Sequence, residues 1–148
     1  FCQDAARHGT ALALEIMPFS NVRTIEVGRA IVEGAGQANG GLLLDAWHVA
    51  RGGIPHDEVA RLPGRLVGSV ELDDADARGE GTLWEDTIHR RRLPGDGALD
   101  CRSFVRAVWA TGFAGAWSVE VISAELRKRP LGEVARAAFA ATMAQLEG

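Results

Sequence analysis

Short apolar runs alternate with longer stretches of mixed polarity along the chain. Each short run has the length and composition of a buried strand. The longer stretches repeat apolar residues at the spacing of a helix that covers a core. Strands that alternate with helices predict an α/β fold with a parallel sheet, built here from about four β/α units. The predicted strands are 11–16, 42–45, 66–72 and 116–122, and the predicted helices are 22–38, 56–62, 100–109 and 131–146.

An acidic residue closes each apolar run. These residues are Glu15, Asp45, Glu71 and Glu120. Because the carboxyl ends of parallel strands lie at one edge of a sheet, where α/β folds build their sites, we expect the four carboxylates to converge there. Carboxylate oxygens suit a hard divalent cation such as Mg²⁺ or Mn²⁺. His48 follows Asp45 by one helical turn and adds an imidazole that can reach the metal or a substrate oxygen.

Alternation within the predicted strands points to the same edge. Residues two apart on a strand share a face. Ala11 and Ala13 share a face with Glu15, and Ser118 shares a face with Glu120. The opposite faces carry larger apolar residues, as expected for packing against helices. The face with small residues is therefore the one that carries the strand-end carboxylates, and the opposite, apolar face is predicted to pack in the core.

Composition limits the class of protein. The chain has 148 residues, 47% of them hydrophobic, which fits a single domain over residues 1–148 with a sizeable core. A net charge of -4 with mixed signs gives no reason to expect nucleic acid or a membrane as partner. Two cysteines, Cys2 and Cys101, form neither a disulfide framework nor a metal motif, so we expect a reduced, cytoplasmic protein.

A polar segment, residues 73–99, separates the third strand from the next predicted helix. It is too long for a simple connector and predicts a functional loop. Near its end lies the motif Arg92-Leu-Pro-Gly-Asp96-Gly, in which the glycines are typical of a turn.

Five short motifs occur along the chain in a fixed order. They are Leu14–Pro18, Leu44–His48, Val70–Asp74, Arg92–Gly97 and Gly112–Val121. The ordered set resembles the sugar phosphate isomerase/epimerase family, within the xylose-isomerase-like TIM barrel superfamily. The resemblance covers nearly the whole chain and corresponds to strands five to eight of a parallel (β/α) TIM barrel. We therefore expect that the N-terminal half of the barrel is missing, and the opening on Phe1 instead of Met agrees with this.

The resemblance implies a metal-dependent enzyme. It implies that Glu15, Asp45, Glu71 and Glu120 bind one divalent metal, that Glu15 and Glu120 are the catalytic acid/base pair, and that His48, Arg92 and Asp96 contact the substrate. Mn²⁺ or Mg²⁺ is favoured as the metal, with Co²⁺ or Zn²⁺ as alternatives. The implied reaction isomerises or epimerises a sugar or sugar phosphate, by abstraction of a proton beside a carbonyl and a metal-bound enediolate. Glu71 departs from the family, in which His or Gln is common, and a fourth carboxylate favours a hard cation over zinc.

Three alternatives stay open. A dehydratase of an inosose-like or dehydroshikimate-like ketone would differ only in the loss of a β-hydroxyl. A metal-dependent abasic-site endonuclease would need a histidine-rich multi-zinc site and a basic face, which four histidines and a negative charge disfavour. A non-catalytic half-barrel remnant is the third, and open strand edges would favour a homo-oligomer. We expect this chain by itself to be poorly active or inactive.

Overall fold

One parallel sheet organises the protein. The structure is a computed structural model that describes residues 1–147. Its strands lie side by side in chain order: β1 (Leu12–Glu15), β2 (Gly40–Asp45), β3 (Val67–Leu72) and β4 (Trp117–Val119). Each neighbouring pair is parallel, so all four strands end at the same edge. The predicted parallel α/β fold is confirmed, although β4 is shorter than predicted.

Helices occupy most of the connections between the strands. They are α1 (Cys2–Arg7), α2 (Ile25–Ala35), α3 (Ala46–Arg51), α4 (His56–Ala60), α5 (Leu83–His89), α6 (Cys101–Ala110) and α7 (Leu131–Leu146). Helix α6 begins after Asp100, whose side chain accepts a hydrogen bond from the backbone N–H of Ser103, as its N-cap position predicts. Helix α5 lies inside the segment predicted to be a loop. Thr82 and Glu85 form a reciprocal capping box at its start, and this Thr-x-x-Glu pattern was the overlooked signal.

The apolar face of the sheet packs against helices. Val70 and Leu72 of β3 are fully buried, and so is Leu44 of β2. They belong to one cluster with Phe104 and Val108 of α6. Full burial of such a side chain stabilises a fold by roughly 1.5–3 kcal/mol. The core therefore holds the strands rigidly while their carboxyl ends stay open for polar side chains.

Helix α7 is less buried than its pattern predicts. Leu131 remains 84% exposed and Phe139 70% exposed, so the expectation that the apolar side of the helix predicted over 131–146 covers a core is wrong at these residues. Only the last turns pack inward, through Thr142 and Leu146. Helical periodicity identifies an apolar side but carries no information about what covers it. Within residues 1–147, no helix is both long enough and apolar enough to cross a membrane.

The two cysteines are expected to differ in reactivity. Cys101 is buried, its thiol donates to the backbone oxygen of Asp73 at 3.2 Å, and burial together with the charge of Asp74 raises its pKa to about 12. Because the thiolate is the reactive form, iodoacetamide at mildly alkaline pH should label Cys2 and spare Cys101 in the folded protein. Peptide mass spectrometry checks this, with labelling of both cysteines in denaturant as the control. Equal labelling of both in the folded protein would contradict the burial of Cys101.

Candidate metal centre

Four carboxylates meet at the carboxyl edge of the sheet. Glu15 ends β1, Asp45 ends β2, Glu71 lies near the end of β3, and Glu120 directly follows β4. Strand register places Asp45 opposite Glu71. One oxygen from each of the four lies within 4.8 Å of the chosen oxygens of the others. The structure therefore brings together the residues whose convergence was expected, while their role as metal ligands stays a prediction.

The four carboxylates lie close enough together to change the pKa of one of them. The pKa of Glu71 is raised to about 7 by burial first, and then by the negative charges of Glu120, Asp45 and Glu15. Arg91 acts in the opposite direction but does not cancel the effect. A divalent cation between the carboxylates would relieve the repulsion and favour ionised Glu71. The donor set and its excess of negative charge thus fit a divalent metal ion.

Asp45 connects the cluster of four carboxylates with helix α3. Its Oδ1 accepts a hydrogen bond from the backbone N–H of His48 at 2.7 Å, which makes it the N-cap of the helix. Its Oδ2 accepts one from Nη1 of Arg91 at 2.6 Å. Asp45 is 1% exposed, so both oxygens are fixed by protein partners. The same residue that offers an oxygen to a metal therefore sets where α3 begins.

His48 lies at the border of the site on α3. Its Nε2 is 3.2 Å from Oε1 of Glu15 and 3.3 Å from Nη2 of Arg91. A protonated Nε2 donates to Glu15 and a deprotonated one accepts from Arg91, so only one of these hydrogen bonds forms at a time. The buried Nδ1 has no hydrogen-bond partner among residues 1–147. The ring edge-packs on Phe19, with centroids 5.6 Å apart, which fixes the imidazole beside Glu15.

Arg91 is the site residue that the sequence analysis did not single out. Its side chain is 1% exposed and its Nη1 lies 2.6 Å from Asp45, 2.7 Å from Asp73 and 3.2 Å from Glu120. Its guanidinium carbon also lies 5.4 Å from the centre of the Trp47 ring. Its Nε and Nη2 donate to the hydroxyl of Thr87 at 3.0 and 2.7 Å. The guanidinium of Arg91 therefore places a fixed positive charge beside the cluster of carboxylates.

No local pattern in the sequence singles out Arg91, because three arginines stand in a row. In this segment Arg90 and Arg92 are exposed, whereas Arg91 and Leu93 are buried. Arg90 and Arg92 form isolated backbone bridges, and the side chain between them is directed inward. Of these three arginines, the sequence predicted a site role for Arg92 alone.

The predicted substrate contacts Arg92 and Asp96 lie beside the carboxylates and not among them. Arg92 pairs with Asp76 at 2.9 Å, and Asp96 is exposed. Both line a cavity of about 580 Å³ together with Arg90 and Arg129. Backbone pairing of Arg90 with Ser123 and of Arg92 with Asp74 frames this cavity. A role of Arg92 and Asp96 in substrate binding stays a prediction.

Asp74 explains the glycine-rich motif. Its buried carboxylate accepts backbone N–H groups of Gly95 and Gly97 at 3.0 Å each and that of Leu99 at 2.9 Å. A Cβ on Gly97 would lie 2.4 Å from Oδ1 of Asp74, and Gly95 has a φ of 89°. Both positions therefore require glycine for this turn. One side chain thus fixes three backbone N–H groups of the turn, in addition to the backbone pairing of Arg92 with Asp74.

Comparison with known proteins identifies the family. The family described as xylose isomerase-like TIM barrel matches residues 1–144. The chain belongs to this family. Its predicted resemblance is thereby confirmed.

Relatives of this xylose isomerase-like chain include isomerases and dehydratases. Inosose isomerase from Bacillus subtilis is 28% identical over 141 residues, which are 94% of this chain and 50% of that enzyme. The 3-dehydroshikimate dehydratase from Pseudomonas aeruginosa is 34% identical over 128 residues, 85% of this chain and 20% of that enzyme. A crystal structure of IOLI protein with a binding zinc atom matches with a TM-score of 0.87 at 28% identity, covering 97% of this chain and 51% of that one. The xylose isomerase-like chain thus spans about half or less of the length of these proteins.

Proposed function

We propose that this chain contributes one divalent metal site and the acid/base pair of an isomerase or epimerase that acts on a sugar or polyol ketone. The observation that carries the proposal is the convergence of four strand-end carboxylates within 4.8 Å. The raised pKa of Glu71 supports it, because carboxylates crowded in this way favour a cation between them. The similarity to inosose isomerase supports the reaction class.

The proposed metal ligands are Glu15, Asp45, Glu71 and Glu120. An all-oxygen donor set favours Mn²⁺ or Mg²⁺ over softer ions. The zinc atom bound in IOLI protein is the reason to include Zn²⁺ and Co²⁺ in the same measurements. When bound, the metal would polarise the substrate carbonyl and make the neighbouring C–H more acidic.

Glu15 and Glu120 are the proposed proton-transfer residues. Glu15 is the last residue of β1 and Glu120 directly follows β4. Because β1 and β4 are the two outermost strands, the two residues reach the cluster of four carboxylates from opposite sides of the sheet. One carboxylate removes the proton beside the carbonyl, and the other returns a proton. Return to the opposite face of the carbon inverts that centre, whereas return to the neighbouring carbon moves the carbonyl. His48, which is 3.2 Å from Glu15, would contact a substrate oxygen and help to orient it.

Dehydration is the second candidate function. It is favoured by the 34% identity to 3-dehydroshikimate dehydratase. The first proton abstraction is the same, but loss of a β-hydroxyl replaces return of the proton. Incubation of the complete gene product with inosose-type and dehydroshikimate-type ketones in D₂O separates the outcomes. Deuterium beside the carbonyl in recovered ketone, seen by NMR, indicates isomerisation or epimerisation, and release of water to an unsaturated product indicates dehydration. Neither signal with any of the four metals would favour the non-catalytic alternative.

Metal affinity is expected to depend on pH. Glu71 has a pKa raised to about 7, and a metal must displace its proton at lower pH. We expect Mn²⁺ affinity to fall about tenfold between pH 8 and pH 6 through this group. Isothermal titration calorimetry measures it, and Glu71→Gln should remove most of the dependence. The exposed Glu133→Gln variant is the matched control and should retain it. A wild-type affinity that is independent of pH would contradict Glu71 as a ligand.

Several expectations from the sequence stay predictions. They concern the single domain over residues 1–148, the cytoplasmic location, homo-oligomerisation, and the lack of nucleic acid or membrane partners.

A further inference from the structure

Two sets of metal-binding side chains overlap at the carboxyl edge of the sheet. One comprises Glu15, Asp45, Glu71 and Glu120, and the other comprises Glu15, Asp45 and His48. The two sets share Glu15 and Asp45. Bridging carboxylates of this kind commonly hold two divalent ions about 3.5–4 Å apart. Glu15 and Asp45 are therefore the residues that two cations would share.

The guanidinium of Arg91 lies between Asp45, Asp73 and His48, and we call this place the second position. Its Nη1 is 2.6 Å from Oδ2 of Asp45 and 2.7 Å from Oδ2 of Asp73, and its Nη2 is 3.3 Å from Nε2 of His48. Two carboxylate oxygens and one imidazole nitrogen thus surround a protein cation. Trp47 and Thr87 hold the guanidinium from its other sides. It has little freedom to leave.

Asp73 makes this arrangement specific. Its side chain is fully buried, and its Oδ1 accepts the backbone N–H of Trp47 at 2.8 Å. Asp73 and Asp45 therefore form a buried pair of carboxylates that need a positive partner, since a buried charge without one is strongly unfavourable. Arginine meets this need permanently, because its guanidinium does not lose its proton in proteins.

We propose that Arg91 is a built-in cation that fills the second position and limits the centre to one divalent metal. Resting on the metal site of the proposed function, the inference assigns Arg91 as a positioning residue. It fixes Asp45 and Glu120 for the metal and excludes a second ion. Removal of its charge while its size and polarity are largely kept, as in Arg91→Gln, should convert a one-metal centre into a two-metal centre.

Counting Mn²⁺ per chain tests the inference. The complete gene product is titrated with Mn²⁺, and bound metal is measured by calorimetry and by electron paramagnetic resonance. We expect one uncoupled Mn²⁺ for the wild type and two for Arg91→Gln, with the spectrum of a coupled pair. Arg91→Lys retains a cation and should bind one. Arg106→Ala removes an exposed arginine of α6 and should also bind one.

Each outcome bears on the inference separately from the proposed function. Two Mn²⁺ in the wild type, or one in a folded Arg91→Gln variant, would overturn the role of Arg91 and leave the metal centre standing. No Mn²⁺ in the wild type would remove the metal centre itself. If Arg91→Gln is unfolded without metal, the proposal requires that Mn²⁺ restores the folded state, which circular dichroism reports. The proposal would also be rejected if Mn²⁺ does not restore the folded state of Arg91→Gln while Arg91→Lys stays folded. A metal ion could then not replace the charge of Arg91.

Discussion

Glu15→Gln and Glu120→Gln are each expected to lower kcat by about 10²–10⁴-fold, the usual contribution of a general acid or base. Glutamine keeps the length of the side chain and one oxygen but cannot take up and release the proton. Because each residue is also a proposed ligand, Mn²⁺ affinity is measured beside kcat at saturating metal. A loss of kcat that persists at saturating Mn²⁺ identifies the proton-transfer role.

Glu133→Gln is the control for both substitutions, because Glu133 is an exposed residue of α7 that is not among the clustered carboxylates. It should leave kcat and metal affinity unchanged. Retention of wild-type kcat by either site variant would reject that residue as acid or base. A loss that disappears when more Mn²⁺ is added would assign the residue to metal binding alone.

Asp45→Ala is expected to have the largest effect on stability. It removes a partner of the buried Arg91 and the N-cap of α3 at the same time. Loss of one member of a buried ion pair typically costs about 3–5 kcal/mol, and loss of an N-cap about 0.5–2 kcal/mol. We expect the free energy of unfolding to fall by at least about 3 kcal/mol in the absence of metal, and Mn²⁺ binding to be lost.

Urea denaturation of the complete gene product measures this change. Asp57→Ala is the matched control, because Asp57 forms an exposed pair with Arg61. Exposed pairs contribute about 0–1 kcal/mol, so the control should unfold close to wild type. A fall of less than about 1 kcal/mol for Asp45→Ala would mean that Asp73 and Glu120 alone compensate Arg91.

The convergence of the strand-end carboxylates was readable from the sequence because it depends on short-range patterns. Alternation within a strand assigns faces, and parallel strands bring their last residues to one edge, as seen for Glu15 and Asp45. The N-cap at Asp100 was equally local. These features need no knowledge of what packs against what, which is why they were predicted correctly.

The remaining features depend on partners distant in sequence. Arg91 and Asp45 are 46 residues apart, and nothing in the run of three arginines shows which one finds a buried carboxylate. Helix α5 was overlooked because a polar segment without apolar periodicity resembles a loop, although its capping box was present. The exposure of Phe139 depends on neighbours that helical spacing does not specify.

The carboxylate of Asp74 supports the backbone of the glycine-rich turn and not its outward side chains. The turn is fixed through backbone N–H groups of Gly95, Gly97 and Leu99, while Asp96 points to solvent without sharing in that support. Position 96 can consequently vary during evolution with little effect on folding. A substitution at this outward residue would therefore change the rim of the cavity while the turn that carries it stays folded.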